Sequence, residues 1–451
     1  MNDALALAAR AVERALDRGA TDAEAYASEE TTREVRVHDG EVESSTAATG
    51  RGLGVRAWIG GRVGYAFGTD LSSEGVVAVA GRAAGAAAVA DEDEHAGPPQ
   101  PGEQPQPLEG LSDPSVAEWS SARAAELALA VEREALAADP RVVGVEQAVY
   151  VDSADRVAIA ASTGVSGEFE ASSCYAYLQA LAEAEGGRET GLGFGLARGP
   201  AGLDPAAIGR EGAERATAMI GAVKPPSRSC PVVLDPTVAA SFTALLGGAL
   251  SADAVQRGRS PLADRVGEEV AGEAYVLHDD GLDTGGFAAA PIDGEGVPHR
   301  RTALIEDGRL LGYLHDTYTA RRGDSESTGN AGRRSYRSQP SVAASNLIVA
   351  SGSLSFPELL EKAKEGVLVT DVAGLHSGVN PVTGVFSVGA SGRAIRDGSL
   401  AEPLREFTIA SDLVSMLRAV LETGSEPRWV PFGGSINTPA ILIGEMAVSG
   451  T

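Results

Sequence analysis

The chain has 451 residues, 43% of them hydrophobic and 22% charged, with a formal net charge of −26. That length predicts two or three domains, and the balance is that of a globular protein and excludes a disordered one. The acidity argues against nucleic acid and anionic membrane as partners, because both select a basic footprint.

No apolar run approaches a membrane span, and the opening "MNDALALAARAVERALDRG" lacks the basic-then-apolar order of a signal peptide. Cys174 and Cys230 are too few for a disulfide framework, which fits a reducing cytoplasm, the expected location. In residues 4–18 the helical period places Leu5, Ala8, Ala9, Val12 and Leu16 on one face, and Gly19 follows as a stop. The period then changes to alternation around Asp39-Gly40 and again around Gly60-Gly61, two hairpin signals. A small-residue helix is expected from about Ser73 to Ala90. The acidic, proline-rich "DEDEHAGPPQPGEQPQPLEG" reads as a linker or long surface loop.

A helix from about Val116 to Ala138 is expected next, ended by Pro140, then two long strand-like stretches within 144–183. "GGRETGLGFGLARG" does not have dinucleotide-fingerprint spacing and is expected to be a flexible strand or loop. A helix over about 205–223 closes this section. The last section opens on the buried strand "PVVLD" and a helix beginning at Val238, running into a basic turn near Ser260. Hairpins at Asp307-Gly308 and Asp397-Gly398 follow, with helices around 356–364 and 411–423. The fold class expected is α+β, mostly antiparallel sheets with flanking helices. Its parts are an N-terminal domain (1–95), a linker (96–115), a middle domain (116–226) and a larger C-terminal domain (227–451).

Self-contained catalytic motifs are missing. None of the six histidines has a second histidine or a cysteine at metal-ligand spacing, and neither a Gly-x-Ser-x-Gly elbow nor a phosphate loop is present. Two loops do stand out, 324–338 and 376–392, rich in Gly, Ser, Asn and Thr. Such loops expose backbone donors and acceptors suited to an extended peptide. The cluster Arg333-Arg334-Ser335-Tyr336-Arg337 is not explained by turn chemistry.

The stretches "PVVLDPTVAASFTALLGGALSADAVQRGRSPLADRVGE", "STGNAGR", "GLHSGVNPVTGVFSVGASG" and "GEMAVSG" resemble the C-terminal domain of the TldD/PmbA family. The hairpins of 33–67 resemble its N-terminal domain. In that family the TldD type carries a zinc metallopeptidase site, a His-Glu-x-x-x-His helix plus a cysteine near the C-terminus. Zinc there needs three such ligands and an open position, with the glutamate as base beside the bound water. Counting back from "ADAVQRGRSPLADRVGE", the histidine positions fall on Thr243 and Gly248 and the glutamate position on Ala244. The segment "PFGGSINTPAILIGEMAVSG" lacks the cysteine. The resemblance therefore implies the TldE (PmbA) type, a non-catalytic subunit that docks a TldD-like partner. Zinc is expected in that partner and not in this chain, and the substrates implied are unfolded or flexible peptides, including leader removal in peptide natural products. Ser327, Thr328, Gly329, Asn330, Asn380, Thr383 and Gly384 are the candidates for lining the cavity. The alternative is a stand-alone homodimeric hydrolase or repurposed biosynthetic enzyme that does not use the zinc site and works through groups such as His278 and His376.

Overall fold

The computed structural model describes residues 3–185 and 187–451. It is an α+β protein with mostly antiparallel sheets. Helix α1 (Ala4–Asp17) starts where the Asp3 carboxylate accepts the Ala6 amide at 3.1 Å. It buries Leu7, Ala8, Ala11, Val12 and Ala15, whereas Ala9 is exposed and Leu16 is 38% exposed. The buried stripe is thus rotated from the expected one, because alanines let the helix approach the sheet more closely than the larger side chains would.

Strands β1 (Asp22–His38), β2 (Glu41–Ile59) and β3 (Arg62–Gly68) form the two expected hairpins. Their turns, Asp39-Gly40 and Gly60-Gly61, have positive φ at both residues, as do Asp307-Gly308 and Asp397-Gly398. This geometry matches the twist of the flanking strands and selects Asp-Gly and Gly-Gly. After α2 (Ser73–Val89), the proline-rich stretch crosses the molecule as a pinned strap: Thr163 donates to the Pro99 carbonyl at 2.7 Å, and Tyr318 donates to Asp93 at 2.9 Å.

The helix expected over 116–138 is two: α3 (Ser115–Glu118) and α4 (Ser121–Ala138), the second capped anew by the Ser120 hydroxyl. Strands β4 (Val142–Ala161), β5 (Ser166–Ala184) and β6 (Gly187–Ala197) follow. One six-stranded sheet, in the order β3-β2-β1-β4-β5-β6, joins the first section to the middle one through the long β1–β4 pairing.

Helices pack on one face of this sheet. Ala23, Ala25, Ala27, Leu53, Val55 and Ala57 meet α1 and α2, while Val35, Val37, Tyr150 and alternate residues 174–182 meet α4 and α5 (Pro205–Ala218). Tyr26, Val157 and Ile159 point the other way, onto Ile292 and Tyr336 of the C-terminal body. Strand β6 corrects the expectation of a flexible segment. Gly191 and Gly193 face α5 so closely that a Cβ would come within 2.2 and 2.1 Å of Ala216 N and Ile208 O. Their neighbours Leu192, Phe194 and Leu196 pack against the C-terminal core. Glycine at alternate positions is a packing requirement here.

The C-terminal body holds two more six-stranded sheets. One contains Leu277–Asp280, Arg301–Glu306, Asn346–Val349 and Ser435–Thr438; the other centres on β7 (Arg228–Leu234), between Gly366–Ala373 and Ile441–Ser449. The helix expected from Val238 is α6 (Pro236–Ala249), which ends before the short α7 (Ala252–Gln256). The expected helices over 205–223 and 411–423 stop at Ala218 and Arg418, the latter giving way to strand Val420–Thr423.

Candidate functional site

Helix α6 starts at Pro236, with the Asp235 carboxylate accepting the Thr237 amide at 2.9 Å. Its inward stripe, Val238, Ala239, Phe242, Thr243 and Leu246, enters the main C-terminal core. Thr243 is 2% exposed, and its hydroxyl donates to the Ala239 carbonyl one turn back at 2.9 Å. The space in front of it is closed by Tyr275, Leu413, Met416, Leu417 and Ile443. Ala244 points elsewhere, toward Gly433, where a Cβ would stand 3.0 Å from its own. A side chain at Gly248 would meet open space.

The helix is regular through this stretch, so positions five apart diverge by about 140°. Thr243, Ala244 and Gly248 thus face a packed core, a glycine segment and solvent. They do not fit zinc, since one offers a hydroxyl engaged with its own helix and two offer no donor atom. Among the described residues no group of three His, Cys, Asp or Glu side chains is placed to hold a metal.

The other predicted residues fall in two separate places. Thr328 accepts the His315 amide at 2.7 Å and donates to the Asn330 side-chain oxygen at 2.6 Å. Asn330 in turn donates to Asp279 at 2.7 Å, and Ser345 donates to the same carboxylate through both amide and hydroxyl. Burial pushes the Asp279 carboxyl up to about 6 despite these bonds. The Ser327 hydroxyl accepts the Gly329 amide, and Gly329 has φ +73 with the Pro298 carbonyl 2.5 Å from where a Cβ would be. The segment 327–330 is therefore occupied with holding the body together, though Asn330 also borders a cavity between the C-terminal body and the first sheet.

Asn380, Thr383 and Gly384 form a separate surface turn in which Asn380 accepts the Val382 and Thr383 amides at 2.9 and 3.1 Å. Thr383 borders an open hollow with Pro261, Arg265 and Arg418. His278 lies in strand Leu277–Asp280, where burial lowers its pKa, and His376 sits on an exposed helical turn, Leu375–Gly378.

The feature that motif reading missed is the seam between the first sheet and the C-terminal body. Glu24 on β1 is fully buried and pairs with both Arg56 on β2 and Arg333. Arg56 also reaches Glu295 at 2.8 Å, and Glu295 accepts the Thr317 amide at 2.9 Å. Against burial, Arg56 and the Thr317 bonds hold the Glu295 carboxyl below its usual range. Burial, reinforced by the Glu295 charge, pushes the adjacent Asp293 carboxyl up.

Tyr336 completes the seam. Its ring lies over Gly52, where a Cβ would come within 2.3 Å, and its carbonyl accepts the Tyr65 hydroxyl at 2.6 Å. This accounts for Arg333 and Tyr336 within the cluster 333–337. The signal in the sequence was that cluster together with Glu24 standing between Ala23 and Ala25 on β1.

Comparison with known proteins agrees with this architecture. The family models for the PmbA/TldA metallopeptidase domain 1, central domain and C-terminal domain match residues 23–87, 114–220 and 227–450. The metalloprotease PmbA of Escherichia coli O157:H7 is 28% identical over 439 residues, covering 95% of this chain and 92% of that protein. A Haemophilus influenzae metalloprotease TldD homolog is 27% identical over 260 residues, 54% of this chain and 52% of that one. Among solved structures, TldE from Thermococcus kodakarensis superimposes with a TM-score of 0.92 at 23% identity, covering 98% of this chain and 100% of that chain, which speaks to the fold. With three domain models matched in order and a relative aligned nearly end to end, the chain belongs to the PmbA/TldD metallopeptidase family.

Proposed function

We propose that this chain is a non-catalytic, TldE/PmbA-type subunit of a heterodimeric metallopeptidase. It pairs with a TldD-like subunit that supplies the zinc and the base, and together they enclose a chamber for unfolded or flexible peptides. The observation that carries the reading is helix α6. At the three family motif positions it presents Thr243, engaged with its own backbone, Ala244 and Gly248. No step of peptide hydrolysis is assigned to residues of this chain; its part is to bind, enclose and orient substrate.

The test is a peptidase assay with metal analysis on the chain alone and on the chain co-expressed with a His-Glu-x-x-x-His homologue. The reading expects activity and stoichiometric zinc in the co-purified pair alone. Zinc-dependent turnover by the isolated chain would overturn it.

A further inference from the structure

A cavity of about 290 Å³ lies where β2 and β3 meet the C-terminal body, at the small end of the range for ligand clefts. Residues 96–97 of the proline-rich strap close one side, and Val63, Pro340 and Val342 give it an apolar wall. Three polar side chains also line it, Arg56, Trp58 and Asp316, which are 7%, 3% and 6% exposed.

Each of the three keeps one polar atom without a partner among the described residues. Arg56 turns Nε and Nη2 to Glu24 on β1, and Nη2 also reaches Glu295. A guanidinium is a rigid planar fork, so its Nη1 is directed away from β1, toward the β3 side where the cavity lies. Trp58, two residues on, projects from the same face of β2, with the Arg56 guanidinium 5.0 Å over its ring. Its indole Nε1–H donates to nothing in the protein. Asp316 uses Oδ1 for the Thr319 amide and hydroxyl, both at 2.8 Å, and leaves Oδ2 free. None of these three atoms is sealed in protein, so each opens onto accessible space, and the cavity is the space their residues have in common. Burial and the Glu295 charge push the Asp316 carboxyl up, and the Arg56 charge opposes them without forming an ion pair with it.

We infer that this cavity binds an α-ammonium group together with its neighbouring carboxylate or carbonyl oxygen, as in a free amino acid or the first residue of a peptide. The ammonium donates to Asp316 Oδ2, and the oxygen accepts from Arg56 Nη1 and Trp58 Nε1. The side chain that fits is apolar and lies against Val63, Pro340 and Val342. Such a head group meets both donors and the acceptor at once. A ligand with only one of the two groups leaves a buried polar atom desolvated and unpaired, which is costly. Neither α6 nor the segments 327–330 and 380–384 line this cavity. The inference goes beyond the subunit role proposed above and does not rest on it.

The experiment is isothermal titration calorimetry of the full-length chain with L-leucine, Leu-Gly-Gly, N-acetyl-leucine and isoamylamine. Saturable binding is expected for L-leucine, Leu-Gly-Gly or both, and which of them binds separates a free amino acid from a peptide terminus. N-acetyl-leucine lacks the ammonium and isoamylamine lacks the oxygen, and each is expected to bind at least about tenfold more weakly. Asp316→Asn keeps the oxygen that accepts the Thr319 amide but removes the charge, and is expected to weaken binding about tenfold. Trp58→Phe keeps an aromatic ring but removes the donor, and is expected to weaken binding several-fold. Should one variant fail to fold, the other and the ligand series on the parent chain decide. Failure of both L-leucine and Leu-Gly-Gly to bind, equal binding of N-acetyl-leucine or isoamylamine, or unchanged affinity in both variants overturns the inference. Each of these outcomes leaves co-purification and activity with a TldD-like partner untouched, so the two failures are distinguishable.

Discussion

Helix α6 and the seam around Glu24 are built on opposite plans. In the proposed reading the helix stands where the family's ionisable ligands would be, and its inward face is Phe242, Thr243 and Leu246 against Tyr275 and Leu413. The seam joins two bodies that could have met through apolar surfaces, yet at its centre are Glu24, Arg56, Glu295 and Arg333, all buried. In the first region a helix without ligating side chains is closed into an apolar core. The second shows that polar groups were kept where the sheet must dock in one orientation, since a buried charge pair tolerates little misalignment while apolar contact slides.

The largest expected effect tests the seam. Arg333→Ala removes one of the two arginine partners of buried Glu24 and the donor to the Gly294 carbonyl and should cost about 3–5 kcal/mol in urea unfolding, as breaking buried pairs does. A cost below about 1 kcal/mol would mean the pair is not what holds the bodies together.

Acid provides the next test. Burial lowers the pKa of His299 from 6.5 to about 4, and burial also lowers those of His278 and His315. Between these values each of these imidazoles binds fewer protons in the folded state than in the unfolded chain, so the stability they contribute is full above about pH 6.5 and falls as pH drops toward 4, opposite in sign to the contribution of raised carboxyls such as Asp279. His299 alone contributes roughly 3 kcal/mol to that loss. Thermal unfolding from pH 7.5 to 4.5 should be less steep in His299→Gln, and identical pH slopes would refute the assignment.

Two substitutions on α6 sharpen the contrast. Thr243→His forces a larger polar ring into closed core and should cost about 1–3 kcal/mol. Combined with Gly248→His it should still give no peptidase activity, because Ala244 supplies no base and the cysteine is missing; turnover by this double variant would show that the motif positions have been misplaced. The smallest effect is a gain. Gly248→Ala adds a Cβ into open space within a helix and should stabilise by about 0.5–1 kcal/mol, read as a higher denaturation midpoint.

Much of this protein is local physics and was therefore legible in the chain. The four two-residue turns follow from Asp-Gly and Gly-Gly between alternating strands, because only those residues adopt positive φ cheaply at both positions. That Ala244 and Gly248 cannot ligate a metal was readable because a side chain without a donor atom cannot ligate in any fold. Tertiary structure decided the rest. Gly191 and Gly193 look like loop residues until α5 is laid across them. Arg333 and Tyr336 look like a basic loop until they meet Glu24 and Gly52, roughly three hundred residues earlier. Trp58 and Asp316 are unremarkable in sequence and share a cavity only because the C-terminal body docks on β2 and β3. Turn chemistry and ligand identity depend on one residue and its neighbours. Close approach, buried pairing and shared cavities depend on which distant segments the fold brings within a few ångströms.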